Sequence, residues 1–303
     1  AREMGYSPDA QARSLVKGRT QTIGVVVTTM TDPFIGGIVQ AIETTAHEHG
    51  YSLILASSSD SSEREIAAAE TLQSKRVDGV IVASSRVGVL HQGRLERLGV
   101  PVVLINSLVQ HRGRYTFSIG VGNRHGGFVA TEHLLQLGHR RIAYVTAPDD
   151  RSDSMERLAG YHEALAGAGV DSDPALLVRG TGRAGGGERA LPALQALEDP
   201  PTAVFCYNDM TAIGLIHAAH AAGLSLPRDL AVVGFDDIVF APYVYPPLTT
   251  VAQPVVELGK GAMEMVLTLL PDGSTNPDAS TDRTLPGRLV VRASSGAKRS
   301  AVN

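Results

Sequence analysis

The sequence has almost no cysteine, no long apolar run and no surplus of positive charge. Its one cysteine, Cys206, leaves no partner for an intramolecular disulfide and excludes a cysteine-built metal site. The longest apolar runs are of strand length, such as Gly79–Ala83, far short of the roughly 18 residues a membrane-spanning helix needs. Residues 1–20 are polar and hold no apolar segment of the secretory-signal kind. A cytoplasmic chain with no membrane segment is the reading that follows. The formal net charge of −4 argues against a body that binds nucleic acid by charge alone. Catalytic signatures are missing too, with no G-x-S-x-G elbow and no H-E-x-x-H helix. His47 and His49 stand two apart, point to different helix faces and make a poor metal pair. The paired acids Asp149–Asp150 and Asp236–Asp237 have no nucleophile or metal site beside them. No catalytic residue, metal or cofactor is expected, and the chain is read as non-enzymatic.

What is present is an ordinary globular balance: 303 residues, 43% hydrophobic and 19% charged. That length suffices for two lobes with their own cores. Apolar, β-branched runs alternate with helical patterns almost throughout. "TIGVVVT", "YSLILAS", "DGVIVAS" and "PVVLINS" read as strands, with further strands near 141–146, 202–206 and 230–235. Asp32 and Pro33 suit the cap and first turn of a helix that Gly50 ends, and Ser62 with Glu65 forms a capping box for the next. Strands alternating with helices predict an α/β protein with parallel, doubly wound sheets. "TIGVVVTTMTD" is echoed about 119 residues later by "RIAYVTAPDD", so two similar lobes fit better than one large sheet. Joins are expected near Gly120–Gly122, Thr250–Gln253 and Asp282–Leu285, giving three crossovers. The lobes are then 21–121 with 254–282, and 122–253 with 283–296, followed by a tail at 297–303.

Charge is uneven. Residues 1–20 carry four basic groups (Arg2, Arg13, Lys17, Arg19) and two acidic ones, leaving 23 basic against 29 acidic residues in the rest. The chain opens without an initiating methionine, so it reads as a piece of something longer. "GTGRAG" at 180–185 matches a dinucleotide-binding G-x-G-x-x-G, with Asp209 as a candidate ribose acid. A run this rich in glycine serves equally as a loop.

In open parallel sheets, ligands bind outside the carboxyl ends of the strands. Nearly every strand here ends in a small polar or acidic group: Asp32 and Phe34, Ser57 to Asp60, Ser84 and Ser85, Asn106, Asp149, Asn208 and Asp209, Asp236 and Asp237. If two lobes face each other, these groups line one cleft. Carboxylates, amides and an arginine suit a polyhydroxylated ligand, because hydroxyls need both acceptors and donors once water is excluded. Asx and Ser at such positions also serve as plain helix caps, which is an equal reading for Asp32 and Asn208. Arg157, early on a helix, is by spacing alone an ordinary solvated arginine.

The ordered motifs "GYSPDAQARSL", "TIGVVVTTMTDPF", "RVDGVIV", "GHRRIAYVTAP", "ERLAGY", "FCYNDMTAIG", "VVGFDD" and "PPLTTVAQP" span essentially the whole chain. In this order they resemble the lactose-repressor family of transcription regulators. The resemblance implies two Rossmann-like lobes similar to periplasmic sugar-binding proteins, a homodimer, and a small-molecule effector, most often a carbohydrate, in the interlobe cleft. It places effector contacts on Asp32, Phe34, Asn106, Arg157, Asn208 and Asp236, with Gln253 near the crossover; Ser84, at a strand end, is a further candidate for ligand binding. Many members carry an aspartate where this sequence has Asn106, which implies a different hydroxyl pattern or ligand. "SPDAQARSL" is similar to the family's hinge helix, which enters the DNA minor groove with Leu15 as wedge and Ala12 beside it; the neighbouring basic groups Arg13, Lys17 and Arg19 suit neutralising phosphate. Residues 1–20 are then the end of a DNA-binding domain plus that hinge, expected to be disordered without operator DNA. The rival reading is an exported sugar-binding protein of an uptake transporter.

Overall fold

The computed structural model describes residues 19–84, 89–107, 115–148, 151–270 and 282–296. The hinge residues Ala12, Arg13 and Leu15, the acids Asp149 and Asp150, and the tail at 297–303 lie outside them. Strand β1 (Thr22–Val27) is followed by α1 (Pro33–Glu48), β2 (Ser52–Ser57), α2 (Ser62–Ser74), β3 (Gly79–Ala83), α3 (Val89–Glu96), β4 (Val102–Ile105) and β5 (Thr116–Val121). Then come α4 (Asn123–Gln136), β6 (Ile142–Val145), α5 (Ser152–Gly167), β7 (Leu177–Val178), α6 (Ala184–Gln195), β8 (Ala203–Cys206), α7 (Asp209–Ala221), β9 (Ala231–Asp236) and β10 (Thr249–Ala252). The last elements are α8 (Val255–Leu269), β11 (Asp282–Leu285) and β12 (Arg288–Val290).

The chain divides into two units. The first runs to Gly120 and resumes with Val255–Leu285; the second takes Val121–Pro254 and resumes at Pro286. The first unit's sheet has the order β11-β5-β4-β3-β1-β2, and the second has β12-β10-β9-β8-β6-β7. The two orders match strand for strand. Registered pairs are parallel, except that β12 runs antiparallel to β10 at the edge of the second sheet. In each sheet the strand order reverses beside the first strand, between β1 and β3 and between β6 and β8. Such a switch point opens a crevice at the carboxyl ends.

The strands form because their apolar runs can be covered on both faces. Ile23, Val25, Val26 and Val27 of β1 are all 0% exposed, each contributing roughly 1.5–3 kcal/mol of burial. Helix α1 starts where Asp32 caps it and Pro33 fixes the first turn. Helix α2 differs from expectation. Its cap is Ser61, whose extended backbone (φ −115°) lets its side chain accept the Arg64 N–H at 3.3 Å. Ser62 is already helical, and Glu65 is buried, so no Ser62–Glu65 capping box forms. Asp78, just ahead of β3, accepts from the Thr20 N–H (3.0 Å), the Thr20 hydroxyl (3.1 Å) and the Gln21 N–H (2.8 Å). It ties the entry to β1 onto β3.

In the second unit, α4 and α5 touch backbone to backbone. A Cβ on Gly127 would fall on the Arg157 carbonyl, and one on Gly160 would fall on the Arg124 carbonyl. Only glycine allows that approach, and it sets the height at which α5 carries Arg157.

Candidate functional site

Arg157 lies one and a half turns into α5 and is 2% exposed. Its Nε–H donates to Asn123 Oδ1 at 2.9 Å, and Nη1 donates to the Tyr207 carbonyl at 2.6 Å. The planar guanidinium lies 3.6 Å from the Phe235 ring centroid and 4.6 Å from that of Tyr207. A buried cation is held this way because aromatic faces and fixed acceptors replace its lost water. Two carboxylates flank it at 3.9 Å, Asp236 on one side and Asp153 on the other. That is ion-pair range but beyond a hydrogen bond. Gln253 Nε2 donates to Asp236 Oδ1 at 2.7 Å. The structure therefore brings together Arg157, Asp236 and Gln253.

Asp153 is the hub behind them. It takes both Nε and Nη2 of Arg151 (3.0 and 3.1 Å), the Tyr207 hydroxyl (2.6 Å) and the Ser154 N–H (2.9 Å). Burial opposes its ionisation. The charges of Arg151 and Arg157 and the hydrogen bonds from Arg151 and Tyr207 outweigh that, and hold the carboxyl well below the usual range. Asn208 sits beside this cluster as the cap of α7. Its Oδ1 accepts from the Thr211 N–H (2.9 Å) and hydroxyl (2.7 Å), and its Nδ2 donates to the Gly182 carbonyl (2.9 Å).

In the first unit, Asp32 accepts the Phe34 N–H at 3.0 Å, and Phe34 is buried. Ser84 and Asn106 end the neighbouring strands β3 and β4. The Ser84 N–H donates to the Ile105 carbonyl (3.0 Å), and the Asn106 N–H to the Ile119 carbonyl (2.9 Å). Both are buried with left-handed backbones, φ +61° and +53°. In the second unit, Asp236 has φ +117°. Non-glycine residues in this region are strained, and such strain gathers at functional sites.

The sequence reading missed Asn123, Arg151, Asp153, Tyr207 and Phe235. It also offered Asp209 as a ribose acid, but Asp209 is buried and its two oxygens are taken by the Thr250 hydroxyl and the Ile238 N–H. The "GTGRAG" glycines have a packing reason instead. A Cβ on Gly180 would fall on the Thr146 carbonyl, and Gly182 lies over the Tyr207 ring with φ +69°. Among the described residues, no group of three or more His, Cys, Asp or Glu is placed to hold a metal, and no helix is long and apolar enough to cross a membrane. Burial pushes the Cys206 thiol far up, with Asp209 adding to it, so it is a poor nucleophile.

Two sheets of matched strand order, each carrying polar groups at its carboxyl ends, define a class of protein. Residues 131–295 match the family described as periplasmic binding protein-like domain. Over 297 residues the chain is 33% identical to the HTH-type transcriptional repressor CytR of Escherichia coli strain K12, covering 98% of this chain and 86% of that protein. It is 34% identical over 266 residues to the regulator GalR of the same strain, covering 88% and 77%. A solved complex of the transcriptional regulator CelR with cellobiose superposes with a TM-score of 0.82 at 30% identity, covering 97% of this chain and 88% of that one. The chain belongs to the LacI family of transcriptional regulators. It is the effector-binding core of a ligand-responsive regulator, and the transporter reading gives way to that one. Its relatives are regulators of transcription, not enzymes.

Proposed function

We propose that the core binds a small, uncharged, polyhydroxylated effector, a carbohydrate, through Arg157, Asn208, Asp236 and Gln253 of the second unit and Asp32, Phe34, Ser84 and Asn106 of the first. The observation that carries this is the spacing of Arg157 and Asp236. At 3.9 Å they stand too far apart to bond each other well. A ligand hydroxyl accepts from the guanidinium and donates to the carboxylate. Charge supports an uncharged ligand, since Arg151 and Arg157 are matched by Asp153 and Asp236. The CelR relative is a cellobiose complex, which agrees.

Control of DNA binding follows by linkage. The effector shifts the equilibrium between two states of the core by its difference in affinity for them. The segment 1–20, with Ala12, Arg13 and Leu15, carries that shift to operator DNA. The protein works in the cytoplasm as a homodimer. Support for self-association is the turn after β9, where Val239, Phe240, Tyr243 and Tyr245 are 65, 51, 82 and 79% exposed. Apolar exposure of that size on one short segment marks an interface. Analytical ultracentrifugation of Tyr243→Asp with Tyr245→Asp is expected to show monomer where the parent chain shows dimer.

The effector reading is tested by thermal shift against neutral mono- and disaccharides, sugar phosphates and nucleosides. A ligand at about 100 times its Kd adds about 2.7 kcal/mol. A neutral sugar is expected to score and to lose its shift in Asp236→Asn and Arg157→Ala. A shift with sugar phosphates or nucleosides alone, or with nothing, overturns it.

A further inference from the structure

Asp209 opens α7, where an acid ordinarily complements the helix dipole. Asn208 already caps that helix, and the Asp209 carboxylate points elsewhere. It reaches past β9 to the turn that follows. Its Oδ1 accepts the Thr250 hydroxyl at 2.6 Å, and its Oδ2 accepts the Ile238 N–H at 2.9 Å. Gly234 of β9 leaves the room it needs, because a Cβ there would fall on Asp209 Oδ1. Thr250 Oγ1 in turn accepts the Asp237 N–H at 3.4 Å. Both amides after Asp236 thus lead back to one buried carboxylate. The turn they belong to is strained, with φ +117° at Asp236 and +56° at Asp237. Strain of this kind persists only where the surroundings over-determine it.

We propose that Asp209 is a positioning residue for the effector site, holding the left-handed turn from which Asp236 is presented. The proposal rests on Asp236 being an effector contact. The ionised carboxylate accepts both donors. A protonated one loses the charge that strengthens both bonds, and a proton on Oδ1 turns the Thr250 bond round, so that Oδ1 donates to Thr250 Oγ1. The charged and titratable groups facing Asp209 are Cys206 from β8, Asp237 from the turn, and Arg292 after β12, which pairs with Asp237 at 2.7 Å. Burial, with Asp237 adding to it, raises the Asp209 carboxyl to about 7 against the pull of its two hydrogen bonds and Arg292. Its hold on the turn therefore changes near neutral pH.

The first measurement needs no ligand and no variant. Backbone amide spectra of the whole chain are recorded between about pH 5.5 and 8.5. The Ile238 amide is expected to move with a midpoint near 7, and to stand still in Asp209→Asn. An Ile238 amide that does not titrate, or titrates alike in the variant, overturns the proposal. The second measurement uses cellobiose and calorimetry. Asp209→Asn is expected to bind about tenfold more weakly than the parent at pH 8, with the gap closing at pH 6, where the parent's carboxyl is also neutral. A ratio equal at both pH values overturns the positioning role while leaving the effector site intact. If cellobiose does not bind the parent chain, the effector reading is what suffers, and the Ile238 titration still decides the role of Asp209.

Discussion

The first unit ends its central strands with a hydroxyl and an amide on left-handed backbone, Ser84 and Asn106. The second unit, on the same strand order, buries charge: Asp153, Arg157, Asp209 and Asp236 are all under 7% exposed. The scaffold is thus indifferent to how a polar group is held. Both units accept backbone strain of order 1–2 kcal/mol per residue, the first at Ser84 and Asn106 and the second at Asp236 and Asp237. The second adds the desolvation of a whole charge network, offset by aromatic faces, paired carboxylates and hydrogen bonds. Strain is local and survives single substitutions nearby. A buried charge network fails when one member goes.

The sharpest test of that contrast is Arg157→Met. It removes the cation beside Asp236, leaving that buried carboxylate to neutral donors such as Gln253, and one of the two cations beside Asp153, so unfolding in urea is expected to show a loss of about 3–5 kcal/mol. Gly160→Ala comes next. Its Cβ meets the Arg124 backbone, which cannot move aside cheaply, and a loss of about 3 kcal/mol is expected in the same assay.

Acid–base titration of stability separates two carboxyls of the second unit. Asp209 is raised to about 7 in the fold from an ordinary value near 4. The folded chain keeps that proton after the unfolded chain has lost it. Stability from this group is therefore full below about pH 4 and falls as pH climbs through 7, and Asp209→Asn is expected to flatten that slope. Asp153 is depressed, so its stability is present above about pH 4 and is lost as acid protonates it. In the first unit, Asn106→Ala is expected to cost only about 1 kcal/mol, the strain of a Cβ residue at φ +53° that cannot bond its own backbone. Smallest of all, Gly36→Ala in α1 meets nothing within 4 Å and is expected to gain about 0.5–1 kcal/mol. Parity between Arg157→Met and Asn106→Ala would erase the contrast between the units.

The scaffold was legible where periodicity and caps agree. β1 through β4 are apolar runs, and Asp32 and Pro33 announce α1. β5 was not legible, because Thr116 and Ser118 interrupt it. Their hydroxyls are taken up by Glu96 and Asp282, which only the folded chain brings near. β7, β11 and β12 are edge strands of two to four residues, too short for a pattern of two to register. At the site, Asp236 stood out because turns follow it. Arg157 had no such mark, and the family resemblance supplied it. Arg151 and Asp153 look like solvated charges at a helix start, and Tyr207 looks like the end of a strand. Their surroundings come from Tyr207, just after β8, and Phe235 of β9 meeting side chains at the start of α5, about 50 and 80 residues away in the chain. The hydroxyl of Tyr207 finds Asp153 only there. The sequence can name residue types at strand ends, but it does not state which of them lose water together.

Asp78 gives the chain ahead of β1 a mechanical boundary condition. Three donors from Thr20 and Gln21 converge on its one carboxylate, and Asp78 itself leads straight into β3. Residue 20 is therefore clamped to the interior of a sheet as well as being joined to the start of a strand. The start of β1 and the start of β3 share one anchor.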